Sequence, residues 1–443
     1  MAKNNDDIVI SREENKKIRK TADKKPVSTK TIGVCVLVLI LLMALSAVVS
    51  ELSGISIADI ASERASGELI YDSLPDSIKN MESYSSGTVL LTDTAVDYLD
   101  SGGRLLSSNS HLYSQPVMKV NKSTVLLYDR GGTAFRIERN SDIYNTYTVS
   151  GAITTAALGK KNNYAYVLND EGGFQSHLYV YSYQGKKQFE WGSASEYCAG
   201  VALSDNGKNV ALSMLGVENG EYYSKVIFFN FRGSEPVYSV KFTDSTVFGL
   251  DFVNNKTVAA LTDNGIFVIN NDGQYETVCE YSPAEIKHSS FETSDIKAFA
   301  VANHGNEKDT DVVIFNKKYA ELFRVNTDTE VISLASSERF TAVLFSNEVK
   351  IYSDTNTPIG SILLGEKCID AAFSGRTLYV RTVSGIYSFD ADADTDLTQK
   401  KSEEETAATE NKTEIPAVNE YDTTESSGTE EATEASTSAV SYG

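Results

Sequence analysis

An apolar run that closes on a small or polar residue and then turns recurs eight times between Thr88 and Ser384. The first three are Val89-Leu90-Leu91-Thr92-Asp93, Val125-Leu126-Leu127-Tyr128-Asp129 and Ala165-Tyr166-Val167-Leu168-Asn169. Counted over all eight runs, the last residues fall 36, 40, 45, 49, 40, 44 and 37 positions apart. That period matches four-stranded propeller blades and lies well outside the short repeats of β-helices. The chain is therefore expected to be all-β, an eight-bladed β-propeller preceded by one transmembrane helix, with seven blades as the alternative if one run is a decorated hairpin. Turn signals between the runs agree, among them Glu171-Gly172-Gly173, Asp205-Asn206-Gly207 and Asn271-Asp272-Gly273.

One blade can be read in full. Gly200-Val201-Ala202-Leu203-Ser204 is a first strand, residues 210–213 a second, 225–231 a third and 236–242 the outermost. Alternating side chains then face two neighbouring blades. The last run offers only three strands before residue 391, while Glu68-Leu69-Ile70-Tyr71 stands spare at the other end. Borrowing it would close the ring and remove an edge able to recruit other chains.

Ahead of the repeats, residues 31–50 form a twenty-residue stretch without a charge. As a helix it would extend roughly 30 Å, the thickness of a bilayer's hydrocarbon core. Residues 1–30 before it hold nine Lys/Arg against five Asp/Glu, and Glu51 follows it. The positive-inside rule then keeps the N-terminus cytoplasmic and exports the rest. A signal peptide cleaved near Ala44-Leu45-Ser46 is the competing reading; the long basic region and long apolar run count against it. The expected organisation is a cytoplasmic basic arm (1–30), a transmembrane helix (31–50), a stalk with the ring-closing strand (51–77), the propeller (78–390) and a disordered acidic tail (391–443). The expected location is the cell membrane, single-pass, with an extracytoplasmic propeller.

Charge narrows the partners. The formal net charge is −21; the arm contributes +4 and the tail −11, which leaves −14 for residues 31–390. An acidic body disfavours nucleic acid, whose phosphates need a basic stripe. Cysteines are few, and the exported three, Cys198, Cys279 and Cys368, cannot all pair within the chain. Buried free thiols acting as small hydrophobes are expected.

Connections such as Tyr181-Ser182-Tyr183-Gln184-Gly185-Lys186 and Ile269-Asn270-Asn271-Asp272-Gly273 resemble blades of the quinoprotein-like and WD-repeat-like propeller families. The whole layout is similar to the uncharacterised single-pass, membrane-anchored propeller proteins of Gram-positive bacteria. With Trp191 the sole tryptophan, the resemblance implies the scaffold and not the quinone.

Candidate chemistry is sparse. His111, His177, His288 and His304 show no metal-ligand spacing, and neither His-Glu-x-x-His nor Cys-x-x-Cys occurs. Asp392, Asp394, Asp396 and Glu403 mimic a calcium loop, but Leu397 stands where its glycine belongs, so a solvated linker is expected. No catalytic, cofactor-binding or metal-binding residue is assigned, and no cofactor is expected. Two insertions remain. One is 216–224, with Glu218, Glu221, Tyr222 and Tyr223 as a candidate ligand or partner loop; the other is 304–310, with Glu307 and Asp309. Loops held by a rigid ring commonly carry binding, and exposed tyrosines suit contact; a plain long hairpin is the alternative.

The expected function is a binding or scaffold module for an envelope protein or cell-wall ligand. An exported glycan-active hydrolase or lyase, with carboxylates converging on the channel, and a ligand sensor are the alternatives.

Overall fold

The computed structural model describes residues 67–72, 78–243, 245–282, 284–291, 295–303, 305–355 and 358–391. The basic arm, the apolar run, the stalk up to residue 66, His304, and the acidic tail with its calcium-like segment lie outside the described residues. No helix among the described residues is long and apolar enough to cross a membrane.

Each repeat becomes one antiparallel four-stranded sheet, and there are eight of them among the described residues. Blade 1 is built from Asn80–Tyr84, Gly87–Leu91, Ala95–Leu99 and Leu105–Ser110, and blade 4 from Tyr197–Leu203, Asn209–Glu218, Glu221–Asn230 and Tyr238–Phe242. Blade 8 takes Cys368–Ser374, Thr377–Thr382 and Gly385–Asp390 from the end of the repeats. Its outermost strand is Glu68–Asp72, antiparallel to the third, with Leu69 opposite Tyr387 and Asp72 opposite Gly385. The ring thus closes by pairing the two ends of the repeat region. First strands of neighbouring blades lie side by side around the axis, blade 8 against blade 1 included.

The recurring phrase has a local cause. Its apolar run is the second strand, buried on both faces between blades; Val89, Leu90, Val125, Ala165, Val210 and Val258 are almost wholly removed from solvent. In three of the eight blades a threonine near the end of the run clamps the turn that follows. Thr92 Oγ1 accepts from Ala95 N at 2.9 Å and donates to Ala95 O at 3.1 Å. Thr262 makes the same pair of bonds with Gly265, and Thr382 with Gly385. A hydroxyl that satisfies both groups of a tight turn ends a strand where another residue would continue it.

Apolar clusters straddle the seams. Val89, Leu91 and Tyr98 of blade 1 pack on Met118, Val125 and Leu127 of blade 2, and Met81, Leu90 and Leu99 pack on Ala372, Tyr379 and Ile386 of blade 8. The up-and-down course of each blade gives the ring two ends. Second-to-third turns and blade-to-blade connections share one, called here the hairpin end. At the other, the entry end, the ring's chain begins at Gly67 and leaves at Ala391, whose amide donates to Arg376 O at 3.0 Å.

The two insertions are strand, not loop. Strands two and three of blade 4 run ten residues each, paired to Glu218 opposite Glu221. In blade 6 the corresponding third strand is Asn306–Phe315. In blade 4 the uninterrupted main-chain pairing outlasts the ring, so the extra residues form a projecting hairpin, whereas in blade 6 the register shifts between Ala302 and Asn303.

Candidate binding site

The blade-4 hairpin turns at Asn219-Gly220, both at positive φ (55° and 86°). This is the two-residue turn whose twist suits paired strands, and Asn-Gly is its favoured sequence. Beyond the ring the pair continues for roughly four residues, or about 13 Å. Cross-strand partners share a face, which sorts the hairpin into two flanks. One carries Leu215, Val217 and Tyr222; the other carries Gly216, Glu218, Glu221 and Tyr223.

The second flank is tied down. Tyr223 Oη donates to Glu196 Oε1 at 2.6 Å, and Lys225 Nζ reaches the same oxygen at 2.6 Å. The hydrogen bond to that carboxylate, aided by burial, pushes the Tyr223 hydroxyl up to about 12. Lys241 Nζ stands 4.1 Å from the Tyr223 ring centre and pairs with Glu218, whose carboxyl that bond holds below its ordinary range. Gly216 makes room for this: a Cβ there would lie 2.4 Å from Tyr223 Oη.

The first flank is bare. Tyr222 is 83% exposed, Val217 60% and Tyr197, from the adjoining first strand, 51%. Together with Leu215 they wall a cleft of about 560 Å³, closed opposite by Thr243, Ser245, Thr246 and Asp263. Hydrogen bonds anchor this opposite rim. Ser224 Oγ donates to Ser245 O at 2.7 Å, Ser213 Oγ donates to Val247 O at 2.6 Å, and Thr246 N donates to Asp263 Oδ1 at 3.0 Å. An apolar aromatic wall facing a fixed polar rim can hold a ligand or a partner's side chain without rearrangement.

Of the four candidates, Tyr222 and Tyr223 line the cleft. Glu218 and Glu221 crown the hairpin on its other flank. Tyr197, Val217, Lys241 and the rim residues Thr243, Ser245 and Thr246 were not anticipated. Asn219-Gly220 with alternation on either side would have placed Val217 beside Tyr222; nothing local announces Tyr197 or the rim.

The central channel, about 620 Å³, is a poorer candidate. Its acids Glu82, Asp251 and Asp370 come from blades 1, 5 and 8. Asp251 meets Lys297 Nζ at 2.8 Å and the Tyr319 hydroxyl at 3.0 Å. Asp370 meets Arg381 at 2.7 Å; burial still lifts its carboxyl above the usual range, with the guanidinium working against the rise. Pairing register sets Asp251 two residues deeper than Asp370. These two acids do not meet at one mouth, and each is held by a base.

Elsewhere the titratable groups look structural. His177 lies between Glu171 and Glu190, with Nε2 3.0 Å from Glu190 Oε1. His111 is buried, with its pKa lowered first by desolvation and then by Arg136. His288 lies on the first strand of blade 6. Cys198, Cys279 and Cys368 are free and buried, and burial pushes the Cys198 thiol up to about 12 and that of Cys368 to about 11. No three acid, histidine or cysteine side chains among the described residues are placed to hold a metal ion.

Solved propellers share the fold at low identity. The Saccharomyces cerevisiae protein Sqt1 superposes with a TM-score of 0.52 and 12% identity over 74% of this chain and 99% of its own. A eukaryotic initiation factor gives 0.50 and 13% over 75% and 90%. BamB from Moraxella catarrhalis gives 0.44 and 10% over 72% and 96%. No curated protein matches the sequence. A family model does, across residues 69–397, from the ring-closing strand past the last blade: the chain belongs to DUF5711, a family of unknown function.

Proposed function

We propose that this protein is a non-catalytic binding module of the Gram-positive envelope, fixed to the membrane by residues 31–50, which holds an envelope protein or cell-wall ligand at the hairpin end. The observation that carries this reading is the bare flank of blade 4, where Tyr197, Val217 and Tyr222 overhang a cleft with a hydrogen-bonded rim. Large apolar groups left uncovered on a rigid ring mark contact surfaces. The uncharged run with its basic flank supports the anchor and an exported ring. The ring's chain starts at the entry end, the end nearer in sequence to the proposed anchor, and the cleft opens at the other end. Paired acids in the channel favour binding over glycan hydrolysis.

A photo-crosslinking residue at position 222 of the full chain in intact cells is expected to give a discrete adduct, lost with Val217→Asp. The same residue at position 275, near the entry end, is expected to give none. Equal adducts from both positions, or none from 222, would overturn the reading. Protease added to intact cells is expected to reach the ring, and protection would refute the exported location.

A further inference from the structure

The two ends of the ring differ in charge. Among the described residues, turns at the entry end hold twelve Lys/Arg and seven Asp/Glu, whereas turns and connections at the hairpin end hold three and six. The excess concentrates on blades 2 to 4, where Lys122, Lys160, Lys161, Lys186, Lys208 and Arg232 face two acids, Asp205 and Glu235. All six basic side chains are exposed. Only Lys160 is in an ion pair among the described residues, with Asp205 at 3.1 Å. On an acidic body this sector is an exception, and general solubility would not select it.

Exposed apolar groups border the same sector. Ile143, Tyr144, Tyr183 and Val237 are each more than 40% exposed and lie in or beside the entry-end turns of blades 2, 3 and 4. Two of them are fixed. The Arg139 guanidinium is sandwiched between the Tyr144 and Tyr183 rings, 3.8 and 3.7 Å from their centres, and donates to Tyr183 O at 2.7 Å. Asn121 Nδ2 donates to Gly159 O at 3.1 Å and to Asn162 Oδ1 at 2.5 Å, locking the inner turns of blades 2 and 3 together. Amphipathic rings interleaved with unpaired lysines, on a rigid plane, match the headgroup layer of a membrane.

We infer that the entry end of blades 2 to 4 docks on anionic lipid headgroups of the bilayer. The inference rests on the anchored reading above and adds an orientation to it. Residues 51–66 separate the apolar run from Gly67, so even fully extended they hold that end within about 55 Å of the bilayer. Each basic residue near an anionic surface strengthens binding roughly fivefold, and the exposed rings add apolar insertion. The chain's own acidic tail, which follows Ala391 at this end, is the rival occupant.

Full-length protein in nanodiscs of phosphatidylcholine, with or without phosphatidylglycerol, tests this by hydrogen exchange. Exchange in the turns around Lys122, Lys161 and Lys186 is expected to slow about tenfold when phosphatidylglycerol is present, with no change at 217–222. Lys122→Glu/Lys161→Glu/Lys186→Glu/Lys208→Glu is expected to abolish the difference while leaving exchange at 217–222 as it was. Equal exchange in the two lipids, including equal protection by the tail in both, overturns the proposal. Alkaline extraction reads the anchor separately. If the chain does not insert, co-sedimentation of the full chain with the two vesicle types reads the face alone, and equal pelleting overturns it.

Discussion

Two seams of the ring break the rule of apolar inside and polar outside, in opposite directions. Between blades 1 and 2, Glu138 is fully buried and Arg136 nearly so. Arg136 Nε binds Glu138 Oε1 at 2.6 Å, and its remaining nitrogens donate to Ser110 O and Asn109 O at 2.6 and 2.8 Å. Glu138 Oε2 accepts from the Tyr98 hydroxyl at 2.9 Å and from Asn109 Nδ2 at 2.5 Å. Between blades 4 and 5, Val217 and Tyr222 stand in solvent above an open cleft. The first exception is complete: every charge has partners within the ring, so it is a latch. The second lacks a cover, so its missing partner is sought outside. Satisfied polarity inside and unsatisfied apolarity outside teach structure and function respectively.

The comparison breaks most readily at the latch. Glu138→Ala leaves Arg136 charged, buried and without its carboxylate, and is expected to cost about 3–5 kcal/mol in urea unfolding. A loss under about 1 kcal/mol would mean the seam tolerates charge and is no latch. Gly216→Val tests the tied flank of blade 4. Its side chain must displace the Tyr223 ring from Glu196 and Lys241, at a cost of about 1–3 kcal/mol. Crosslinking from position 222 should fall with it, because the flank that supports the cleft has moved.

The smallest effect is electrostatic and lies on blade 3. Burial acts to raise the Glu171 carboxyl, but hydrogen bonds from Ser150, Tyr179 and His177 outweigh it and hold it below its ordinary 4.5. Hydrogen bonding and charge from Lys187 similarly lower Glu190. A lowered folded value contributes stability that is present above the unfolded value and lost as pH falls through the folded one. Thermal stability should therefore drop below about pH 4.5, and Glu171→Gln should flatten that drop by no more than about 1 kcal/mol.

Eight apolar runs at blade spacing determined the number of sheets, and a spare strand at Glu68–Tyr71 determined how the ring closes. Both are legible because strand pairing within a blade is local and each blade repeats the same problem. Buried free thiols were expected at Cys198, Cys279 and Cys368 because three cysteines cannot all pair, and all three are free and buried. The hairpin at 216–224 was half legible: its tyrosines stood out and a long hairpin was one of its two readings, but without weight on Asn219-Gly220 the pairing of Val217 with Tyr222 was not drawn. Tertiary structure alone decided the rest. Glu138 finds Tyr98 forty residues away, Tyr197 finds Val217 across two strands, and lysines from three separate blades gather at one end. Such meetings depend on which ends of which strands the closed ring brings level, and no local pattern of residues encodes that.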